Sequence, residues 1–518
     1  MRTRRIQLRT ACTLLTGVTL SLALLPGCSY FGATSSSSKM NVAAESKKRT
    51  PGPTKVMVDG PALALGQPEQ DTALRQAFMT RFTGIVKEGR TEAARIWVER
   101  YPDFALDILR DSVSEAPVAG AEQLAQLHDE LCGANSNGGW TAVLAAQAKH
   151  SQAFAAYSEG RGQVMKSLRS GEFAEACTVN LPQLAEATGQ TLLSIDAWQL
   201  VGVSRMLADQ PEQAVHSLEK GIEIAQSVSP HQTAYMLLLL SETRRRANDP
   251  QGAVQAWSDA VTLAGQLLSQ SKPIADPTLW DRAMYLQPVG TPWPAAVSSS
   301  LATLRQSSNM PHCLQGAAPI IKATAHNSTP QATSAALWSC IGFWRMERGE
   351  PQGALVAFKR AESAGIAEAS DWTRLGQARA LIAMEKGPGA TAILMQLASR
   401  KDRKPTTLAA MAQLGSIKVA EGATNQGITL LRTALDEKDA ADWPERGRAE
   451  ADLGLAYLLV SDEPHGVQWL EKSQARFKSQ GDLESLSQCL WNQARYYEQT
   501  KNKTKMAELQ AQWEQMQL

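Results

Sequence analysis

Residues 338–361 read WSCIGFWRMERGEPQGALVAFKRA, and the spacing of large and small side chains in this stretch predicts two antiparallel helices. Gly342 and Ala354 stand where the two helices come closest, so a bulkier side chain at either position would push them apart. Trp338 and Phe358 fill the space beside them. Such a hairpin leaves one apolar face uncovered and must stack on copies of itself.

Further copies of this pattern are present in the chain. Four of them keep the two small positions 12 residues apart, at Trp198, Val201, Gly202, Ala214, Leu218 and Gly221; at Leu237, Leu240, Ser241, Ala253, Trp257 and Ala260; at Met411, Leu414, Gly415, Gly427, Leu431 and Ala434; and at Leu453, Gly454, Tyr457, Gly466, Leu470 and Ser473. One more unit has a spacing of 14, and its turn sequence KGPG predicts a longer loop; its residues are Trp372, Leu375, Gly376, Ala390 and Leu394.

The offsets resemble the tetratricopeptide repeat (TPR), whose pattern is W-x2-L-G-x2-Y followed by A-x3-F. The resemblance covers about residues 190–265 and 334–475. It implies an all-α fold, an α-solenoid of TPR-like helical hairpins in a right-handed superhelix. TPR arrays mostly bind other proteins, so the resemblance also implies a protein-binding role.

The N-terminus carries the features of a targeting segment. Four arginines precede an apolar stretch, and Leu25-Pro26-Gly27-Cys28 resembles a bacterial lipobox. The resemblance implies a lipoprotein signal peptide at 1–27 and lipidation of Cys28. The alternatives are an uncleaved membrane anchor or an ordinary secretory leader, but the apolar run is shorter than the ~20 residues that a bilayer span needs. Because Ser29 and not Asp follows, we expect a bacterial cell membrane lipoprotein, in the outer membrane and facing the periplasm.

Composition divides the remaining chain into six parts. Residues 28–61, which contain four consecutive serines and Pro51-Gly52-Pro53, predict a flexible linker after the lipidated cysteine. The other parts are an N-terminal helical region with degenerate repeats (62–190), TPR-like repeats (191–265), a Pro-rich irregular insertion (266–333), TPR-like repeats (334–480) and C-terminal capping helices (481–518). The insertion fits either a partner-contacting loop or a structural joint between two halves of the array.

Charge and motifs favour a binding protein over an enzyme. The precursor has a net charge of +1, with 52 basic residues against 51 acidic ones, and four of the basic residues lie in the leader. A mature chain near neutrality lacks the basic footprint of a nucleic-acid-binding protein. The seven histidines show no metal-ligand spacing, and no catalytic motif stands out. We therefore expect no enzymatic activity, no cofactor and no metal.

The resemblance places a partner on the concave face, which the first helix of each hairpin lines. The groove candidates are Gln199, Glu242, Arg245, Phe343, Met346, Gln377, Arg448 and Leu455. They lack the Lys and Asn of the carboxylate-clamp subfamily, and their mixture of apolar and charged side chains favours a helix or an extended segment of another envelope protein. For Phe343 and Met346, packing against an adjacent repeat or the insertion is an equal alternative.

Two other functions stay open at this point. A glycan-binding or hydrolytic site in the 266–333 insertion would use Asp276, Asp281, Trp280 and Trp293, because an acidic pair beside aromatic side chains suits a sugar. A purely structural spacer would leave all interactions intact when Phe343, Glu242 and Arg448 are replaced together.

The cysteines give one prediction. Five remain once Cys12 leaves with the leader and Cys28 is lipidated: Cys132, Cys177, Cys313, Cys340 and Cys489. An oxidising periplasm permits disulfides, so two interpretations stay open: buried, inert thiols, or a Cys313–Cys340 disulfide that ties the insertion to the repeat that follows it. Mass spectrometry of the unreduced protein tests this bond, and finding both thiols free excludes it.

Overall fold

The computed structural model is all-helical over the residues that it describes, with no strand among them. The described residues are 68–87, 89, 91–113, 120–132, 139–147, 149, 151–269, 277–288, 290–306, 316–324, 329–402, 404–436, 443, 445–480 and 482–516. The predicted signal peptide, Cys28 and the linker lie outside them. In the described part of the chain, no helix is both long enough and apolar enough to cross a membrane.

Among the described residues, eight helices precede the regular array. They are α1 (Pro68–Lys87), α2 (Thr91–Arg100), α3 (Pro102–Ser112), α4 (Ala121–Cys132), α5 (Trp140–Gln147), α6 (Ser151–Ser170), α7 (Phe173–Ala176) and α8 (Leu181–Glu186). Gly171 after α6 has a positive φ of 79°, and Val164 and Ala176, twelve positions apart around it, are fully buried. This pair is a degenerate copy of the hairpin, because its second half is split between α7 and α8.

Seventeen helices follow among the described residues. They are α9 (Thr191–Leu207), α10 (Pro211–Ala225), α11 (Pro230–Arg246), α12 (Pro250–Ser269), α13 (Pro277–Leu286), α14 (Ala295–Gln306), α15 (Ala318–Thr324), α16 (Pro330–Glu347), α17 (Pro351–Ser363), α18 (Ala367–Ala383), α19 (Gly387–Ala398), α20 (Pro405–Ala420), α21 (Thr424–Leu435), α22 (Arg446–Leu459), α23 (Glu463–Gln480), α24 (Leu483–Gln499) and α25 (Lys503–Met516). Neighbouring helices pack in adjacent pairs, the arrangement of an α-solenoid.

One turn geometry joins the two helices of seven hairpins. Each turn has three residues, and the middle one is left-handed: Asp209, Asn248, Gly349, Glu385, Gly422, Ser461 or Lys501. The N–H of the third turn residue donates to the carbonyl five positions earlier, as from Gln210 to Arg205 at 2.9 Å or from Lys386 to Leu381 at 2.8 Å. This is the Schellman bond that closes a helix end. It fixes where each hairpin reverses.

The turn also sets the register of the small positions. The first small residue lies seven positions before the left-handed residue and the second lies five after it, which reproduces the predicted spacing of 12. The KGPG unit follows the same rule, because its turn has three residues and Glu385 is left-handed. The predicted longer loop is therefore wrong. Its small pair is Ala378 and Ala390, both fully buried, and not Gly376 and Ala390.

The predicted close approach of paired helices is confirmed. A Cβ on Gly415 would come within 3.0 Å of the Gly427 carbonyl oxygen, and one on Gly454 within 2.9 Å of the Gly466 carbonyl oxygen. In the second hairpin, the Ser241 hydroxyl donates to a carbonyl of the facing helix at 2.7 Å. A larger side chain at these positions would have to separate two backbones.

The insertion packs into the array as helices α13, α14 and α15. Trp257 of α12 donates from its ring nitrogen to the Ala283 carbonyl at 2.9 Å, and its ring lies 4.9 Å from that of Trp293. Trp293 in turn donates to the Ser334 hydroxyl of α16 at 2.8 Å. These contacts favour a structural joint, because they connect the last helix of the first repeat block to the first helix of the second block.

The N-terminal helices contact the array at two distant points. Arg110 of α3 pairs with the buried Asp196 of α9 at 2.7 Å, and Arg100 of α2 pairs with Glu347 of α16 at 3.0 Å. The Arg348 guanidinium also lies over aromatic rings of the N-terminal helices, 5.2 Å from the ring centroid of Tyr101. Arg100 is the last residue of α2 and Arg110 lies in α3, so two consecutive short helices contact both α9 and α16.

The left-handed turns predict an effect on stability. Replacing Gly422, whose φ is 85°, by Ala puts a Cβ into a conformation that costs about 1 kcal/mol. We expect a lower urea midpoint, followed by circular dichroism. Gly387→Ala is the matched control, since Gly387 is helical and no atom lies within 4 Å of an added Cβ. Equal midpoints for the two variants would contradict the role assigned to the turn.

Candidate functional site

The first helices of consecutive hairpins lie side by side and form one face of the array. In the C-terminal block, α18 packs on α20, α20 on α22, and α22 on α24. Side chains three or four positions apart on one helix share a face. The first helices therefore present a continuous groove, in which equivalent residues follow one another at each step along the array.

Four of the predicted groove residues are buried. Gln199, Gln377 and Leu455 are 2%, 6% and 5% exposed, and the Gln377 amide donates to Glu362 at 2.6 Å. Phe343 is 9% exposed, and its ring lies 5.0 Å from that of Phe358 in the same hairpin. These side chains support packing in the present structure and are not available to a partner.

The other four predicted groove residues reach solvent to different degrees. Arg245 is largely exposed and pairs with Glu242 at 2.7 Å, while the Glu242 side chain is mostly covered. Arg448 is exposed. Met346 is half-buried against the core. Arg245 in the first block and Arg448 in the second are thus the accessible charges of the predicted set.

The groove beside Phe343 is filled by the chain itself. A Cβ on Gly316, in the insertion, would come within 2.4 Å of the Phe343 ring, so the two are in direct contact. The N-terminal helices reach the end of the same helix at Glu347 and Arg348. Of the two alternatives for Phe343, the contacts support packing against the insertion.

The corrected register adds a residue that the sequence analysis missed. The position after the first small residue holds Phe343, Ser416 and Leu455 in neighbouring units. With Ala378 as the small residue of α18, the equivalent residue is Arg379 and not Gln377. A left-handed residue at Glu385 would have identified the correct register, but a glutamate in a sequence gives no indication of a left-handed conformation.

Arg379 connects two helices across the groove. Its guanidinium pairs with Glu445 at the start of α22, and it lies 5.9 Å from the Phe343 ring centroid. Burial lowers the pKa of Arg379 to about 9, and the positive charge of Arg448 adds to this effect. A guanidinium stays protonated at neutral pH, so the shift marks a buried cation whose charge is incompletely compensated.

The groove face of α22 carries alternating charge. Glu445, Arg448, Asp452 and Leu455 are spaced at three or four positions and so lie along one stripe of this helix. Asp452 is 7% exposed and accepts a hydrogen bond from the Ser416 hydroxyl of α20. Burial raises the pKa of Asp452 to about 6, while that hydrogen bond and the charge of Arg448 act in the opposite direction. The carboxylate of Asp452, the guanidinium of Arg448 and the hydroxyl of Ser416 thus belong to the same face of the array.

The residues of the alternative glycan site take structural positions. Trp280 and Trp293 are 5% and 6% exposed, so neither ring is free to stack on a sugar. Asp281 pairs with Arg345 of α16 at 2.7 Å, and Asp276 lies outside the described residues. The contacts of these side chains hold the joint together.

The cysteines and the metal-binding residue types form no site in the part of the chain that the structure covers. Cys177, Cys340 and Cys489 are free thiols there, and burial raises the pKa of Cys340 and of Cys489 to about 12. Cys313 lies outside the described residues, so its pairing with Cys340 stays a prediction. No group of three His, Cys, Asp or Glu side chains among the described residues is arranged to hold a metal ion.

Asp452 predicts a pH dependence of stability. Its folded pKa of about 6 lies above the ~3.9 of an unfolded aspartate, so the folded state binds the proton more tightly. The contribution of Asp452 to stability is therefore most favourable below pH ~4, falls as the pH rises through ~6, and reaches its full cost, about 3 kcal/mol, above that. Asp452→Asn should remove the cost and raise the urea midpoint at pH 7.5, but not at pH 4.

The matched control is Asp436→Asn, because that carboxylate is 54% exposed immediately after the outer helix α21. We expect it to change the midpoint little at either pH. If Asp452→Asn raised the urea midpoint equally at pH 4 and pH 7.5, ionisation of this carboxylate would not be the source of the lost stability.

Comparison with known proteins adds no assignment. No protein-family model matches the chain, and no curated protein matches it. The description of the groove therefore depends on the residues of this chain alone.

Proposed function

We propose that the chain is a membrane-anchored TPR lipoprotein that acts as a protein–protein interaction scaffold or adaptor in the bacterial envelope. The observation that carries this proposal is the set of seven hairpins with one turn geometry in the described chain, whose first helices pack side by side within each repeat block. Such stacks create extended surfaces that suit peptide and protein ligands. The TPR resemblance in spacing supports the same role.

The sequence before the first described helix supports the anchor. Cys28 follows the lipobox residues Leu25-Pro26-Gly27 and would carry the lipid. Two or three acyl chains give stable attachment, because each buried methylene contributes about 0.8 kcal/mol. The linker, residues 28–61, would then let the helical array stand on the order of 100 Å from the membrane surface. From there the groove would reach partners in the periplasm.

The accessible part of the groove supports a protein partner. Arg245 and Arg448 reach solvent from two different repeat blocks. A long groove with scattered charges recognises an extended or helical segment at several points. A small substrate would need a closed pocket with convergent polar groups instead.

Site-specific photo-crosslinking in the native envelope tests this function. A photoreactive amino acid at Arg448 or at Arg245 should capture one dominant partner, identified by mass spectrometry. The control position is Met395, which is 60% exposed on the outer helix α19 and should capture little. Equal capture at all three positions, or none from the groove positions, would argue for a passive spacer.

The anchor is tested in the same cells. Cys28→Ser should move the protein from the membrane fraction to the soluble fraction of the envelope, while the helical array stays folded. A variant that remains in the membrane fraction would contradict lipid anchoring at Cys28, without bearing on the groove.

A further inference from the structure

An exposed arginine lies over two aromatic rings where the insertion meets the second repeat block. The guanidinium carbon of Arg360, on α17, is 4.7 Å from the ring centroid of Tyr285 and 4.6 Å from that of Trp338. Tyr285 belongs to α13 of the insertion, and Trp338 belongs to α16. The two rings are perpendicular, with their centroids 5.6 Å apart. Side chains from three helices therefore hold one guanidinium at a defined place on the surface.

The positive charge of Arg360 has no negative partner among the described residues. Its guanidinium forms neither an ion pair nor a hydrogen bond with any of them, and its contacts are the two rings. On the insertion, the carboxylate of Asp281 is already paired with Arg345 at 2.7 Å. Lys359, the residue before Arg360, is also exposed. This surface thus offers two exposed cations, one of which is held in position.

Two exposed apolar side chains accompany Arg360. Five large hydrophobic side chains are exposed in the described chain, and two of them are Tyr285, 49% exposed, and Val356, 44% exposed. Tyr285 contacts Arg360 directly, while Val356 stands four positions before Arg360 and so shares its face of α17. Tyr, Trp and Arg are the residue types that dominate the binding energy of protein interfaces. We call this surface the Arg360 patch; it consists of Tyr285, Trp338, Val356, Lys359 and Arg360.

The two rings orient Arg360 for a carboxylate. A freely rotating arginine loses side-chain entropy when a ligand fixes it, and the cation–π contacts reduce that loss because they restrict the side chain beforehand. These contacts engage no acceptor atom, so the N–H donors of the guanidinium remain available for a bidentate bond to a carboxylate. An ion pair at an exposed surface is weak, and it strengthens when neighbouring apolar groups exclude water. The ligand should therefore also carry an apolar side chain that covers Tyr285 and Val356.

A protein segment fits the Arg360 patch better than a lipid membrane does. Surfaces that bind anionic lipids carry clusters of about four to eight Lys or Arg residues, whereas the patch has two. Helices that lie in the membrane interface bury a whole apolar face, and α17 exposes Val356 between polar side chains. An acidic residue next to an apolar one in a peptide supplies both the charge and the apolar contact.

We propose that the Arg360 patch docks a segment of a partner protein in which an aspartate or glutamate is adjacent to an apolar residue. The carboxylate binds Arg360, and the apolar side chain covers Tyr285 and Val356. No residue of the patch belongs to the predicted groove, so the patch is a second binding surface and does not depend on the groove. The proposal gives the insertion a role in binding as well as in joining the two repeat blocks.

Selection from a phage-displayed library of random dodecapeptides tests the proposal. The bait is the full chain in its Cys28→Ser form. We expect the enriched sequences to share an acidic residue next to an aliphatic or aromatic one. The most enriched peptide is then synthesised with a fluorescein label and an amidated C-terminus, and its Kd is measured by fluorescence anisotropy. Replacing its acidic residue by the corresponding amide should weaken binding about tenfold.

Variants of the chain locate the site. Arg360→Ala should weaken peptide binding about tenfold, while Arg432→Ala, which removes an exposed arginine from the outer helix α21, should leave it unchanged. Arg360→Lys keeps the charge but loses the planar donor fork, so it should weaken binding several-fold. Tyr285→Phe should bind like the wild type and Tyr285→Ala more weakly, because the ring and not the hydroxyl makes the contact. Circular dichroism of each variant shows that the array is folded.

The proposal fails if no peptide is enriched, if the enriched peptides lack acidic residues, if Arg432→Ala has the same effect as Arg360→Ala, or if Arg360→Lys binds like the wild type. Crosslinking from Arg245 and Arg448 tests the groove separately. If it captures a partner while the Arg360 patch binds no acidic peptide, the scaffold function stands and the assignment of the patch is wrong.

Two further measurements test other occupants of the Arg360 patch. Flotation of the Cys28→Ser chain with vesicles of phosphatidylglycerol and phosphatidylethanolamine would overturn the proposal in favour of a membrane if Arg360→Ala abolished it. Self-association in analytical ultracentrifugation that Arg360→Ala abolished would assign the patch to a second copy of the chain instead. We expect neither effect.

Discussion

The hydrogen bond that closes each first helix is the constraint on which the array depends. It runs from the third turn residue to a carbonyl five positions earlier, and it requires a left-handed residue between the two helices. Because the chain reverses at a fixed point, the small residues before and after the turn always face each other. Close approach of the helices follows from that register. Side chains such as Glu385 and Lys501 accept the strained conformation because seven turns in the described chain use the same geometry.

Contacts between residues far apart in sequence connect the parts of the array. The insertion carries the stack from α12 to α16 through the tryptophan pair Trp257 and Trp293, and the N-terminal helices bind both Asp196 and the end of α16. For Asp196, burial alone would raise the pKa, but the charges of Arg110 and Arg161 outweigh burial and lower it. A buried ion pair of this kind is costly to break from one side. The N-terminal helices are thus fixed in place, and they contact the end of α16 at Glu347 and Arg348.

The remaining groove combines rigidity with unsatisfied polarity. Its walls are first helices whose backs are packed against second helices, so the side chains that line it are held at defined separations. Its floor keeps atoms of Arg379, Gln413 and Asp452 without partners in the described chain. Each such buried atom destabilises the folded array, because it has lost its contact with water without gaining a hydrogen-bond partner.

The sequence by itself determined the helical hairpins and their spacing, because small residues 12 positions apart mark where the backbones of two paired helices come into contact. Five of the six predicted units have the predicted register. In the sixth, the prediction placed the first small residue at Gly376, two positions before the actual one, Ala378. Only the tertiary structure decided that Phe343 is covered, that the insertion is packed, and that Arg379 meets Glu445. These depend on contacts across tens to hundreds of residues, and periodicity carries no information about which distant side chains meet.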